Sequence, residues 1–344
     1  MSVVGVILSN LHDGDLPSLT ARRTMGAVPF GGRYRLIDFP LSAMVHAGLT
    51  QIFVVAHHNY RSLMEHIGSG KDWDMARHNG GIHILPPYSA AYAAPDENYN
   101  SRLRSLISIR NRLEDLDAED VLCCDCDAVG TPDLSALISA HRQSGRMMTV
   151  CEEEGAPLGS LHLWIASAPY LRALLREAEN KRYTSFYGEL IAREIKRGNV
   201  GGFRFSTPFY HIRSISDYYR LHMMLAGDEI VRRELLECED RPVMTKVQNS
   251  PPAKYGKNAK VEQSLVADGC VIEGRVKNSV LFRGVYVGPE AAVENAVVLE
   301  HCTLTGHARV AVSVLEKNAV LGGHVSISGH PDLPFFVDEG RKID

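Results

Sequence analysis

The sequence predicts an α/β domain with a mostly parallel sheet, followed by a parallel β-helix of hexapeptide repeats. Three observations carry this. Through residue 225, short apolar runs alternate with helical patterns, as in strands joined by crossover helices. From Cys238 to Asn258 the pattern dissolves into ECEDRPVMTKVQNSPPAKYGKN, where Pro242, Pro251 and Pro252 mark a linker. Beyond it, small or apolar residues recur at about every sixth position, the spacing of a triangular coil whose short faces each send one side chain inward. The predicted boundaries are 1–237 for the first domain, 238–258 for the linker and 259–330 for the β-helix, with 331–344 as a C-terminal tail.

Val3 to Leu8 reads as a buried strand and Gln51 to Ala56 as a second, so Ala27 to Gly48 forms the loop and helix between them. Gly31 and Gly32 free the backbone for close approach to a ligand or another segment, Asp38 can cap the helix, Pro40 fits its first turn, and Gly48 ends it. Ligands of open α/β sheets sit at the carboxyl ends of such strands, so a nucleotide site is expected there. Further strands are expected at Ile82 to Leu85, Val121 to Cys124, Met147 to Cys151 and Leu161 to Ile165. Helices are expected at Arg102 to Leu116, Ser167 to Asn180, Tyr183 to Arg197, and Ser214 to Leu236 with a break near Gly227. PPYSAAYAAPDENYN reads as a loop of prolines and small residues. In the coil region the predicted inward positions run Val285/Val287, Ala291/Val293, Val297/Leu299, Cys302/Leu304, Ala308/Val310, Val314, Ala319/Leu321 and Val325/Ile327.

A net charge of -4 argues against nucleic acid or an anionic membrane as the main partner. With no basic leader and no apolar run near 18 residues, the expectation is a soluble cytoplasmic protein. Seven cysteines, without the two CxxC pairs of a zinc site, read as free, partly buried thiols.

LTARRTMGAVPFGGRYRLIDFPLS, followed by the α/β pattern and the hexapeptide repeat, resembles the ADP-glucose pyrophosphorylase (glucose-1-phosphate adenylyltransferase) family. HHNYRSLMEHIGSGKDWDMARHNGGIHILPPYS brings the likeness closer to its GlgD-type regulatory subunits. The resemblance implies a Rossmann-like, GT-A-like nucleotidyltransferase domain, then a left-handed β-helix. In catalytic members a Gly-Gly-x-Gly-x-Arg-Leu loop cradles a triphosphate, because phosphate oxygens must approach bare amides and a cation closely. The matching residues here are Asn10-Leu11-His12-Asp13-Gly14-Asp15-Leu16, with Leu11 and Asp13 replacing glycines and Asp15 replacing the arginine. Met25 stands where the family has lysine.

Nucleotidyl transfer also needs Mg²⁺ held by carboxylates. Asp127 matches the family's first aspartate, six residues before Asp133, but the second aligns with Ile212, which cannot ligate a metal. Asp127 is therefore read as vestigial and as a helix or turn cap, with no metal held by this chain. The family's Gly-Thr-Ala-Asp-Ala aligns with Ser101 to Ser105, and the excursion bearing a Glu-Lys-Pro motif shrinks to EEEGAPLG. Arg22, Arg23 and Arg35 align with positions that in this family contact phosphates of allosteric effectors, and guanidinium groups suit such ligands. Solvated or interface arginines are the equally weighted alternative. His57 and His58, after a strand, read as polar loop residues.

The expected function is a non-catalytic or barely active regulatory subunit. It pairs with a catalytic homologue, which supplies ATP and Mg²⁺ chemistry, in a heterotetramer for glycogen synthesis, and a phosphorylated effector is expected. The alternatives are an active nucleotidyltransferase with a rearranged phosphate loop using Asp127 and the arginines, and a β-helix acyltransferase. The latter is disfavoured because no long histidine-bearing loop interrupts the coils.

Overall fold

The computed structural model describes residues 2–77, 80–86 and 101–344. The predicted proline and small-residue loop lies, beyond Pro86, outside the described residues. Seven strands, β1 (Val3–Leu8), β2 (Gln51–Val55), β3 (Gly81–Leu85), β4 (Asp120–Asp125), β5 (Met148–Cys151), β6 (Trp164–Ser167) and β7 (Val200–Phe203), form one sheet in the order β7-β5-β6-β4-β1-β2-β3. Every neighbour is parallel except β6, which is antiparallel to β4 and β5. The alternation along β1 serves both faces, with Val4, Val6 and Leu8 packing among Leu103, Leu106 and Leu171 while Ile7 packs among Leu41 and Met44. Leu8 is in register with Val55 and with Asp125, so the loops leaving β1, β2 and β4 share one rim.

The α-helices of five or more residues are α1 (Asp38–His46), α2 (Arg61–Ile67), α3 (Arg102–Ser108), α4 (Arg110–Glu114), α5 (Leu134–Ser144), α6 (Ala168–Asn180), α7 (Ala192–Lys196), α8 (Ile215–Gly227) and α9 (Glu229–Leu236). The predicted break near Gly227 separates α8 from α9, and Asp228 caps α9 through the Ile230 and Val231 amides. Asp38 is not the cap expected of it. It lies inside α1, fully buried, accepting from the Arg35 amide at 2.9 Å and from His66 Nε2 at 2.6 Å. The sequence does not signal β7. Gly201 and Gly202 carry no apolar pattern, and a Cβ on Gly202 would stand 3.0 Å from Leu158 Cδ1.

The second domain is a three-faced parallel β-helix. Lys254–Tyr255, Val271–Ile272, Tyr286–Val287, Thr303–Leu304, Val320–Leu321 and Lys342–Ile343 stack in register on one face. Ala292–Val298 and Arg309–Leu315 each cross two faces. The predicted boundaries are corrected at both ends. Lys254–Tyr255 already pairs with the next coil, and the supposed tail supplies Phe335–Val337 and Lys342–Ile343 as the last coil. The rest of the linker is strapped down, with the Met244 amide donating to Ser42 Oγ at 2.8 Å and Val243 buried.

The inward set is also corrected on one face. Ala296, Val298 and Leu315 fill the coil, whereas Val297, Leu299 and Val314 point outward and join Val280 and Phe282 in the core of the first domain. The two domains share that core with Phe30, Phe39, Tyr218 and Leu225. Gly31, at φ +57, serves this junction, donating its amide to His222 Nε2 at 3.1 Å with Leu236 packed above. Among the described residues no helix is long and apolar enough to cross a membrane. All seven cysteines are free and six are buried.

Candidate functional site

The crevice over the carboxyl ends of β1 and β4 is where the fold places a ligand, and side chains of the chain itself crowd its phosphate-loop side. The stretch aligned with the phosphate loop turns through a short 3-10 segment, Asp13–Asp15, pinned from several sides. Asp13 is buried, accepting from the Met25 amide at 2.6 Å and from Asn10 Nδ2 at 2.6 Å, with His58 Nε2 at 3.1 Å. Burial raises its pKa against these bonds. Asn10 Oδ1 in turn accepts from the His57 amide at 2.6 Å. His57 Nε2 lies 2.9 Å from Ser105 Oγ, and burial pushes the His57 pKa down to about 4. His57 and His58 therefore brace the loop, His57 from a half-buried position and His58 from an exposed one.

Across the crevice, His12 Nε2 lies 2.9 Å from Asp125 Oδ2 and 3.7 Å from Asp127 Oδ2, while its Nδ1 lies 3.0 Å from Asp15 Oδ2. Burial opposes protonation of His12, but the hydrogen bond to Asp125 and the charge of Asp127 outweigh it and lift its pKa to about 9. Arg102, from the stretch aligned with Gly-Thr-Ala-Asp-Ala, forms an ion pair with Asp125. Ser101 caps α3 through the Arg104 amide at 3.2 Å, and this cap sets the direction in which Arg102 leaves the helix.

Asp127 is not a cap, and this corrects its sequence reading. Asp133 caps α5 through the Ala136 amide, while Asp127 Oδ2 receives His162 Nδ1 at 3.2 Å and His211 Nδ1 at 3.3 Å. Burial works against its ionisation, yet these two histidines hold its carboxyl well below the usual range. Ile212 is fully buried beside it, its amide donating to the Asp127 carbonyl at 2.7 Å. The position that would need a second Mg²⁺ carboxylate is thus apolar, and the nearest donors are imidazoles. These residues do not fit an all-oxygen Mg²⁺ cage, and carboxylates at Asp13 and Asp15 do not fit a triphosphate.

The expectation of an isolated Asp127 misses what the fold assembles. His12, Asp125, Asp127 and His162 each offer a ligand atom, and these atoms all lie within 4.8 Å of one another. His162 holds a left-handed backbone at φ +52 in the shortened segment between β5 and β6. An Asp-x-Asp at a strand end, with single histidines in two rim loops and in the short strand Tyr210–His211, was the available signal.

The three arginines lie elsewhere, at the junction. Arg23 is buried, with Nη1 2.8 Å from Glu316 and Nη2 3.7 Å from Glu339. Burial opposes its charge but Glu316 more than compensates, raising its pKa. Arg22 is exposed, 3.5 Å from Glu339, and Arg35 Nη1 donates to Ser62 O and Oγ at 2.8 and 2.7 Å. A phosphate entering the hollow beside Arg22 and Arg23 meets Glu316, Asp338 and Glu339.

The nucleotidyl transferase family matches residues 6–156, and the GlmU-like C-terminal hexapeptide family matches residues 251–333. The chain is 29% identical to the glycogen biosynthesis protein GlgD of Bacillus subtilis (strain 168), across 98% of this chain and 96% of that protein. With the GlgD of Geobacillus stearothermophilus it shares 30% identity over 85% of this chain and 82% of the relative. With a glucose-1-phosphate adenylyltransferase of Thermotoga maritima it shares 30%, over 85% and 76% respectively. The chain therefore belongs to the glucose-1-phosphate adenylyltransferase family, on its GlgD-type branch.

Proposed function

We propose that this chain is a catalytically silent regulatory subunit that joins a catalytic glucose-1-phosphate adenylyltransferase in a heterotetramer serving glycogen biosynthesis. One observation carries the reading: the loop that would cradle a triphosphate carries two carboxylates and is locked shut by Asp13 on the Met25 amide and His12 on Asp125. A triphosphate entering there meets negative charge and packed side chains where its chemistry needs open amides and a cation. The core shared by the two domains gives the chain one stiff body, so binding to a partner biases that partner's conformations through surface contact. The arginines that an active variant of the site would recruit are engaged with Glu316, Glu339 and Ser62.

The test is ADP-glucose synthesis from ATP and glucose 1-phosphate. The purified chain alone forms little or no product, and adding it to the catalytic homologue raises turnover or apparent affinity. Equal rates with and without the chain overturn the regulatory role, and Mg²⁺-dependent turnover by the chain alone overturns its silence.

A further inference from the structure

We propose that His12, Asp125, Asp127 and His162 form a closed tetrahedral zinc site, built by this chain where its catalytic relatives hold nucleotide and Mg²⁺. The donor atoms are His12 Nε2, Asp125 Oδ2, Asp127 Oδ2 and His162 Nδ1, mutually within 4.8 Å. A tetrahedral ion bonded at about 2.0–2.1 Å sets its ligand atoms about 3.3–3.4 Å apart. The four imidazole-to-carboxylate separations here are 2.9, 3.7, 3.2 and 3.7 Å, which straddle that edge length, and the other two are no longer than 4.8 Å. With both imidazoles deprotonated on binding, Asp15, Asp125 and Asp127 against Arg102 leave two negative charges, which a divalent ion cancels. Imidazole nitrogen in the donor set disfavours Mg²⁺ and Ca²⁺, and a closed set of four N and O ligands favours Zn²⁺.

The outer contacts are those of a metal site. His12 points its second ring nitrogen at Asp15 Oδ2, 3.0 Å away, which fixes the ring orientation and leaves Nε2 facing the cluster. Arg102 Nη2 pairs with Asp125 Oδ2, the oxygen offered to the ion, and its Nε reaches Oδ1 at 3.4 Å, while His211 Nδ1 backs Asp127 Oδ2 at 3.3 Å. Three ring nitrogens crowd that one oxygen, more than its lone pairs serve well without a cation between them. Ligands from the loop after β1, the end of β4 and the segment before β6 would be stapled together, holding the phosphate-loop position closed. The proposal goes beyond the regulatory reading and does not depend on it.

Zinc is titrated into the chelator-treated full chain by calorimetry, with Co²⁺ as a spectroscopic substitute. The expected result is one Zn²⁺ per chain, a higher melting temperature with Zn²⁺, and the intense visible bands of tetrahedral cobalt. His162→Gln removes the stoichiometric site. Asp15→Asn, altering an exposed outer contact, weakens Zn²⁺ about 10–100-fold. His307→Ala, in the β-helix, leaves binding unchanged. No 1:1 uptake, octahedral cobalt spectra, an equal preference for Mg²⁺, or an Asp15→Asn isotherm identical to wild type each overturns the site.

Discussion

Two buried charge networks in this chain differ in how they are balanced. At the domain junction Arg23, Arg35 and Lys317 stand among Glu300, Glu316 and Glu339, cation for anion. At the crevice Asp13, Asp15, Asp125 and Asp127 converge, and among the described residues the permanent cation paired with them is Arg102, the rest being imidazoles. The junction closes on itself and becomes a joint. The crevice is left acidic and dependent on groups that change charge, so it keeps the character of a site even with its phosphate loop gone.

The largest effect is expected from unbalancing the joint. Arg23→Ala leaves Glu316, 2% exposed, without its buried cation, and should cost about 3–5 kcal/mol in denaturant unfolding. Arg23→Met with Glu316→Leu should recover most of this, since Glu316 no longer sits buried without a cation and the part-exposed Glu339 keeps Arg22. If the double variant is no better than the single one, shape rather than charge balance holds the domains together.

Next comes a titration at the same joint. His222 is fully buried between Gly31 and the Tyr218 carbonyl, and burial depresses its pKa to about 4. Its unfolded value, near 6.5, is higher, so between these values the unfolded chain binds a proton that the folded chain refuses. Stability is therefore intact above about pH 6.5 and falls as the pH drops toward 4, by up to about 3 kcal/mol from this residue. His222→Gln keeps an acceptor for the Gly31 amide but cannot titrate, so its unfolding free energy should fall less steeply over that range.

In the crevice, Asp13→Asn should destabilise by about 1–2 kcal/mol. It keeps an oxygen for the Met25 amide but adds a donor facing Asn10 Nδ2. Melting curves of the two proteins at one pH test this. A larger loss would mean that this loop, like the joint, rests on a full charge pair, here with His58.

How much of this was legible follows from where each signal resides. The β-helix was readable because its period recurs locally, but periodicity cannot separate a side chain facing the coil interior from one facing a covering domain. Val297, Leu299 and Val314 were therefore placed inside when they face outward. The final coil was lost because residues 329–334 interrupt the repeat before Phe335–Val337 resumes it. At the site, the missing glycines, arginine and second carboxylate were visible one position at a time. The histidine cluster was not, because His12 and Asp125 are 113 residues apart and His211 and Asp127 are 84 apart, and only tertiary pairing joins them, β1 beside β4 for the first and Tyr210–His211 antiparallel to Ala128–Val129 for the second.

The smallest expected effect concerns Arg22, where joint and ligand readings of the arginines diverge. Its side chain is 73% exposed and its partner Glu339 is 3.5 Å away, so Arg22→Ala should change stability by less than about 0.5 kcal/mol. A phosphorylated effector would need this guanidinium, because Arg23 is already spent on Glu316. Activation of the mixed oligomer by an anionic effector should therefore survive Arg22→Ala if effectors bind only the catalytic partner. Loss of that activation, with stability unchanged, would restore the junction as a phosphate site and require Glu339 to swing away from Arg22 and Arg23 when the ligand arrives.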